Sequence, residues 1–164
     1  MADVATEAGA SKPLLYHYFS TKGDLHLATV REAAEELREI TRPDPDLPVD
    51  QRMRAALDAH LEWIAANALA YRAIIQGGIS SDPEVQAIVE ESRNETVGRL
   101  ATAFDFTDPT PTERIALRGW VGYLEAASLE WLTTNAVTRS HLAQMLEASV
   151  TGALRAARVA PPSA

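Results

Sequence analysis

The chain contains no cysteine among its 164 residues, so disulfides, thiolate zinc sites and cysteine catalysis are all excluded. It also lacks any apolar run near the roughly 20 residues that a membrane-spanning helix requires. Met1-Ala-Asp-Val-Ala-Thr-Glu has neither the basic nor the apolar region of a secretory leader, and the cytoplasm is the expected compartment. No strand pattern is evident, and therefore no Gly-rich phosphate loop following a strand. The four histidines, at 17, 26, 60 and 141, are scattered without metal-ligand spacing. Serines fall at helix caps and carboxylates on polar faces, which leaves no catalytic constellation. The expectation is a non-enzyme without metal or cofactor. Positive charge is short as well: a formal net charge of −8 opposes general affinity for nucleic acid, whose binding draws on phosphate neutralisation.

Against these absences, 46% of the residues are hydrophobic, enough for a substantial core, and they recur at helical spacing. From Lys22 to Ile40 the inner positions are read as Leu25, Ala28, Thr29, Glu32 and Ala33, before a charged stretch from Glu35 to Glu39. This predicts a helix buried in its first half and solvated in its second. Pro43, Pro45 and Pro48 deny successive backbone donors and set a linker at 43–48. Beyond it Val49, Met53, Ala56, Leu57, His60, Leu61, Ile64 and Ala68 form a stripe of 3.6-residue period. His60 on that stripe is either a buried histidine with one hydrogen-bond partner or a pocket contact.

Tyr71 to Gln76 reads as a short helix closed by Gly77-Gly78. Ser81 is expected to cap a helix running from Asp82-Pro83 to about Phe104, with Val85, Ile88, Val89, Val97, Leu100 and Phe104 inside. The helix from Thr112 to about Thr134 is read with two buried sides. One carries the small-residue positions Ile115, Gly119, Gly122, Ala126, Leu129 and Thr133; the other carries Trp120, Leu124, Ala127 and Trp131. A turn between Asn135 and Ser140 leads to a last helix with Leu142, Met145, Leu146, Ser149, Ala153 and Ala156 on one face. Two such small-residue faces can pack inside one subunit or against a second copy. Residues 159–164 are expected to be a disordered tail.

The most specific stretch lies near the start. Asp3 to Ala8 can form a short helix, Gly9 suits its left-handed C-terminal cap, and Ser11 can cap the next helix, with Pro13 in its first turn. The connection is therefore about three residues long, as in helix-turn-helix units. Leu15, Tyr18 and Phe19 would face a core, leaving Lys12, Pro13, Tyr16 and His17 outward, where a major groove would meet them. Thr21-Lys22-Gly23-Asp24 matches a capping box opening the third helix, and places Lys22 among free amides that can reach a phosphate.

The run from Ala8 to Lys22, with Asp24-Leu25, resembles the helix-turn-helix signature of the TetR family of one-component transcriptional regulators. The resemblance implies an all-α fold: a remnant helix-turn-helix head over 1–42, the linker at 43–48, and a TetR-like body over 49–158 for ligand binding and dimerisation. It implies Tyr16 and Lys22 as phosphate contacts, with Ser11 at the helix start and Lys12, Pro13, Leu14 and His17 at the positions that meet bases. Tyr18 and Phe19 are packing positions in that scheme. Family members carry a further helix and a basic arm upstream of the position of Met1. The head as given is not basic: Met1 to Arg42 holds five basic residues against seven acidic ones. The family's last two helices pair with a second subunit, which implies a homodimer interface at Ile115, Gly119, Gly122, Ala126, Leu129, Leu142, Met145, Ser149 and Ala153. The implied partners are operator DNA, met by a repressor, and a small apolar or amphipathic effector. Its pocket candidates are His60, Trp63, Tyr71, Ile75, Trp120, Tyr123, Leu124 and Ala127, each of which can equally be plain core. The other expectation is a helical ligand-binding and dimerisation module that does not read DNA.

Overall fold

The computed structural model describes Leu14, residues 17–77 and residues 82–159. The expected helix at Asp3 to Ala8, the Gly9 turn, the caps at Ser11 and Ser81, and the end of the tail lie outside the described residues. Among those described, six helices follow one another with no strand: α1 (Lys22–Ile40), α2 (Val49–Ala66), α3 (Ala68–Gly77), α4 (Pro83–Ala103), α5 (Pro111–Thr134) and α6 (Arg139–Ala157).

Local chemistry sets their ends. Thr21 Oγ1 accepts the amide of Asp24 at 3.0 Å while the Asp24 carboxylate accepts the amide of Thr21 at 2.8 Å, the reciprocal box expected at the start of α1. α2 stops at Ala66 rather than running on to Ala68, because Asn67 turns back and its side-chain amide donates to the Trp63 carbonyl. Asp82 caps α4, its carboxylate accepting from the Glu84 amide, with Pro83 at the first helical position. α5 begins a residue earlier than expected, at Pro111. Thr110 and Glu113 form a second capping box there. The helix ends on Asn135 in the left-handed region, and Thr138, inside the expected turn, caps α6.

The core is continuous through all six helices. α1 enters it through Val30, Ala33 and Ala34, packing against α3 and α4, with Leu27 and Leu37 partly buried beside them. This rotates the inner face away from the one expected: Thr29 and Glu32 are exposed. The second half is not simply solvated either. Small alanines let the helix approach the body closely, and its last turn is then tied down. Arg38 pairs with Glu35 on its own helix and with Glu95 of α4 at 2.7 Å, while Arg99 donates to the Arg38 carbonyl at 3.0 Å. The linker is held by Arg52, which donates to the carbonyls of Leu47 and Pro45, both at 2.9 Å.

α5 lies against α6, α4 and α2 and buries Leu117, Trp120, Val121, Leu124 and Ser128. The Trp120 indole N–H donates to the Leu146 carbonyl at 2.9 Å and to Ser149 Oγ at 3.0 Å, joining α5 to α6. The opposite side is not buried in the protomer: Ile115 is 72% exposed, and Gly119, Gly122 and Ala126 are exposed beside it.

The two faces of α5 respond differently to substitution. Leu117→Ala, at a fully buried position, lowers stability by about 2–5 kcal/mol. Gly122→Ala leaves the stability of the isolated protomer, read at concentrations low enough to keep the chain monomeric, unchanged or raised by about 0.5–1 kcal/mol, since an added Cβ there meets nothing of its own protomer within 4 Å and alanine is the better helix former. Denaturant titration of both variants checks the contrast.

Candidate functional site

The helices line a partly open cavity of about 720 Å³. The last turn of α1 contributes Leu37, Arg38 and Thr41 to its wall, and α2 contributes Met53, Leu57 and His60. α3 adds Tyr71, Ile74 and Ile75; α4 adds Val89, Arg93 and Arg99; α5 adds Trp120, Leu124 and Glu125. Apolar walls with a few convergent polar groups are the usual make-up of a small-molecule site.

The buried polar group is the more informative. Tyr71 is 2% exposed and stacks edge-on against the His60 ring, with centroids 5.6 Å apart. His60 Nε2 lies 3.4 Å from Ser128 Oγ, and Ser128 is completely buried. Burial holds the His60 imidazole well below its ordinary range, at about 4, so the ring is neutral at pH 7. Burial also pushes the Tyr71 phenol up, against the nearby Ser128 hydroxyl, which favours ionisation. Ser128 nevertheless does not complete a hydrogen bond to it: the Tyr71 hydroxyl has no hydrogen-bond partner among the described residues. Beside this group Arg93 and Glu125 form a two-pronged bridge, Nε to Oε1 and Nη2 to Oε2, both at 2.8 Å. The bond from Glu125 holds the Arg93 guanidinium above its ordinary range despite desolvation.

A second polar group gathers where α1 ends. Arg99 reaches the Arg38 carbonyl and the Thr41 hydroxyl, and Glu95 faces Arg38. Sequence patterning misses Arg38, Arg52, Arg93 and Arg99 as cavity residues, because charged positions on a helix read as solvated. Tertiary packing turns them inward: Arg38 and Arg99 meet where α1 crosses α4, Arg93 pairs with Glu125 of α5, and Arg52 holds the linker.

Of the eight pocket candidates, His60, Tyr71, Ile75, Trp120 and Leu124 line the cavity. Trp63, Tyr123 and Ala127 do not. Trp63 is buried in the core with its indole N–H unpartnered among the described residues, and Tyr123 is 40% exposed on the outer side of α5.

Of the nine interface positions, Ile115, Gly119, Gly122, Ala126 and Met145 are exposed, and Leu129 and Ala153 are half-buried. Leu142 is instead part of the protomer's own core. Ser149 likewise turns inward, bonded to Trp120 and to the Leu146 carbonyl. At the start of the chain, Ser11, Lys12, Pro13 and Tyr16 lie outside the described residues, while Leu14, His17 and Lys22 are exposed. Tyr18, expected to pack, is 72% exposed; its described ring contact is an edge-on one with His17, and a single neighbouring ring cannot cover it.

An all-α body whose internal cavity is walled by the helix next to a helix-turn-helix sequence is the architecture of a one-component regulator. Residues 49–152 match the family model described as "Tetracyclin repressor-like, C-terminal domain" and residues 1–29 match "Bacterial regulatory proteins, tetR family". The chain belongs to the TetR family of transcriptional regulators. It is 35% identical over 92 residues to the HTH-type transcriptional activator FasR of Mycolicibacterium smegmatis, a match covering 55% of this chain and 42% of that protein. It is 29% identical over 131 residues to the HTH-type transcriptional regulator BetI of Stenotrophomonas maltophilia, covering 76% and 66%. The chain thus spans under half the length of the first relative. In fold it is similar to a TetR-family regulator from Streptomyces coelicolor, with a TM-score of 0.86, 22% identity, and coverage of 95% of this chain and 71% of that one. A TetR-like regulator from Rhodococcus sp. RHA1 gives 0.73, 22%, 93% and 82%.

Two outcomes follow from the buried polar group. Between pH 6.5 and about 4 the unfolded chain binds a proton at His60 that the folded protein refuses. Stability therefore falls as pH is lowered through that window, by on the order of 3 kcal/mol in full. His60→Gln removes that slope in chemical denaturation. It leaves the separate loss below about 4.5 from Glu90 and Glu113. Burial raises the Glu90 pKa, but bonds from Arg93 and Arg118 outweigh it; the Thr110 amide holds the Glu113 carboxyl down. Tyr71→Phe removes an unsatisfied hydroxyl and raises stability by about 1 kcal/mol, a shift of about 2–4 °C in Tm; a lower Tm would contradict the absence of a partner.

Proposed function

We propose that this chain is a TetR-type regulator, acting as a repressor, that binds operator DNA as a homodimer and changes its DNA affinity when a small apolar or amphipathic molecule occupies the cavity. In this reading residues 1–42 are the reading head, 43–48 the linker and 49–158 the regulatory body, working in the cytoplasm. The observation that carries it is the position of α1. Its first turn holds exposed Lys22 next to the helix-turn-helix sequence, and its last turn walls the cavity. Nineteen helical residues span about 28 Å at 1.5 Å each, so one rigid element reaches from ligand to head. A ligand that fits only one placement of that last turn shifts the population between placements of the head, by as much as its differential affinity allows.

The dimer reading rests on the exposed face of α5 and α6. Ile115 and Met145 are large apolar side chains in solvent, and open space lies over Gly119, Gly122 and Gly152. Small residues permit close helix approach by a second copy about a two-fold axis. Tyr123, outside the cavity, stands at the same face. Lys22, Leu14 and His17 are the described positions assigned to DNA, with Ser11, Lys12, Pro13 and Tyr16 completing the surface. The relative named an activator makes the sign of regulation a separate readout.

Light scattering and fluorescence anisotropy test the reading together, using DNA that flanks the protein's own gene at two salt concentrations. The wild type runs at twice its 17.8 kDa and binds with affinity that falls steeply as salt rises. Lys22→Ala weakens binding several-fold and reduces the salt slope by about one. Gly122→Arg yields a folded monomer with DNA affinity reduced at least about 10-fold, since two half-sites are no longer engaged together. A dimer that ignores DNA at both salts supports the ligand-binding and dimerisation module instead; a monomeric wild type sinks the dimer assignment.

A further inference from the structure

The charges that line the cavity select its occupant, an inference that rests on the cavity being the effector site. The cavity has a closed end and an open one. His60, Tyr71, Ile74, Val89 and Leu124 are buried at the first, while Pro43, Thr102, Ala103 and Asp105 are exposed where the linker leaves α1 and α4 ends. The lining runs along α4 from Val89 to Ala103, about 21 Å at 1.5 Å per residue. An elongated occupant therefore has one end in a largely apolar recess and the other at the mouth. Charge is balanced inside. Arg93 is bridged to Glu125 and Glu90, Arg38 to Glu95 and Glu35, and Glu147 stands 3.9 Å from Arg54. At the mouth it is not. Arg52 and Arg99 have no ion-pair partner among the described residues; they donate to main-chain carbonyls and to the Thr41 hydroxyl. Against these two positive charges stands Asp105, a lining carboxylate that is exposed and has no ion pair among the described residues.

Both guanidiniums have N–H groups to spare. Arg99 bonds through Nη1 alone, which leaves its Nε and Nη2 edge, the fork that fits a carboxylate. Arg52 bonds through Nε and Nη2, which leaves Nη1. These nitrogens are open to solvent: the buried side-chain polar atoms without a partner among the described residues are elsewhere, at the Trp63 indole and the Tyr71 hydroxyl. We propose that the effector is an amphipathic anion. Its carboxylate-like head accepts hydrogen bonds from the free edge of Arg99, in the positive field of Arg52, and its hydrocarbon body lies toward His60 and Leu124. A cationic head would meet two unpaired guanidiniums there. A charge of either sign at the closed end would disturb the Arg93–Glu125 pair, whose partners are both largely buried. Because Arg99 also holds the Arg38 carbonyl and the Thr41 hydroxyl, one guanidinium joins the head group to the last turn of α1.

Nine-carbon probes test the head group: nonanoate, 1-nonanol and nonylammonium, titrated into the full chain at pH 7 by calorimetry. Nonanoate is expected to bind at least about 10-fold more tightly than either of the others, the usual worth of charge-assisted hydrogen bonds. Arg99→Gln, checked for folding by its melting curve, removes that preference and leaves 1-nonanol unchanged. Arg99→Lys, which keeps the charge but not the fork, retains part of it. Arg52→Gln causes a smaller loss that shrinks as salt rises. Arg155→Gln, which changes the net charge equally at an exposed position of α6 outside the cavity, has no effect. Hydrogen exchange at the Thr41 and Arg42 amides, bonded to the Leu37 and Glu39 carbonyls, slows with nonanoate and not with 1-nonanol. Nonanoate binding indifferent to both Arg99 variants overturns the proposal, as does 1-nonanol or nonylammonium binding as tightly as nonanoate. In those cases the cavity stays the effector site if Ala56→Trp, at a half-buried lining position, abolishes whichever probe binds. If no probe binds the wild type, the effector role of the cavity fails, and the inference with it.

Discussion

Ala33 and Ala34 set how closely α1 can lie on the body, and most of what is specific to this molecule depends on that approach. With two small residues at the contact, the helix next to the head sinks into the same core as α3 and α4 instead of riding on the surface. Its last turn then meets α4, where Arg38 finds Glu95 and Arg99 finds a main-chain carbonyl. That junction closes one side of the cavity. A bulkier pair would hold α1 off, open the wall and leave those arginines in water.

Inside, the protein tolerates polar groups that a core optimised for stability would replace. The buried bridge between Arg93 and Glu125 contributes little net stability once desolvation is counted. The neutral histidine and the unpartnered tyrosine hydroxyl lower it. Local departures from good packing and full hydrogen bonding concentrate where function needs them. Here the His60 ring, the Tyr71 hydroxyl and the Arg93–Glu125 bridge gather at one end of one cavity, while the Trp63 indole N–H, also unpartnered among the described residues, lies in the core away from it. The same contrast appears on α5, whose inner face is filled by Leu117, Trp120 and Leu124 and whose outer face keeps glycines with nothing above them.

The helices themselves were legible because their signals are local. Hydrophobic period, proline breaks and capping residues act within a few positions, and they located all six helices, with starts within a residue or two except at α3, which begins at Ala68 and not at Tyr71. The inner face of α1 was misjudged because Thr29, Glu32 and Ala33 fit one helical stripe about as well as Val30, Ala33 and Ala34. Only a neighbouring helix selects between them. Leu142 and Ser149 were assigned outward for a related reason: a small or apolar residue reads the same whether it faces its own core or a second copy.

By itself, then, the sequence determined the all-helical class, the breaks between helices, the helix-turn-helix resemblance and the absence of thiol chemistry, since each of these rests on residue type or on spacing within one element. Tertiary structure alone decided which charged side chains face the cavity, that the Tyr71 hydroxyl finds no partner among the described residues, and that Trp63 and Tyr123 stand apart from the cavity. Those facts depend on distances between residues such as Arg93 and Glu125, 32 positions apart in the chain. Helical periodicity carries no information about such distances.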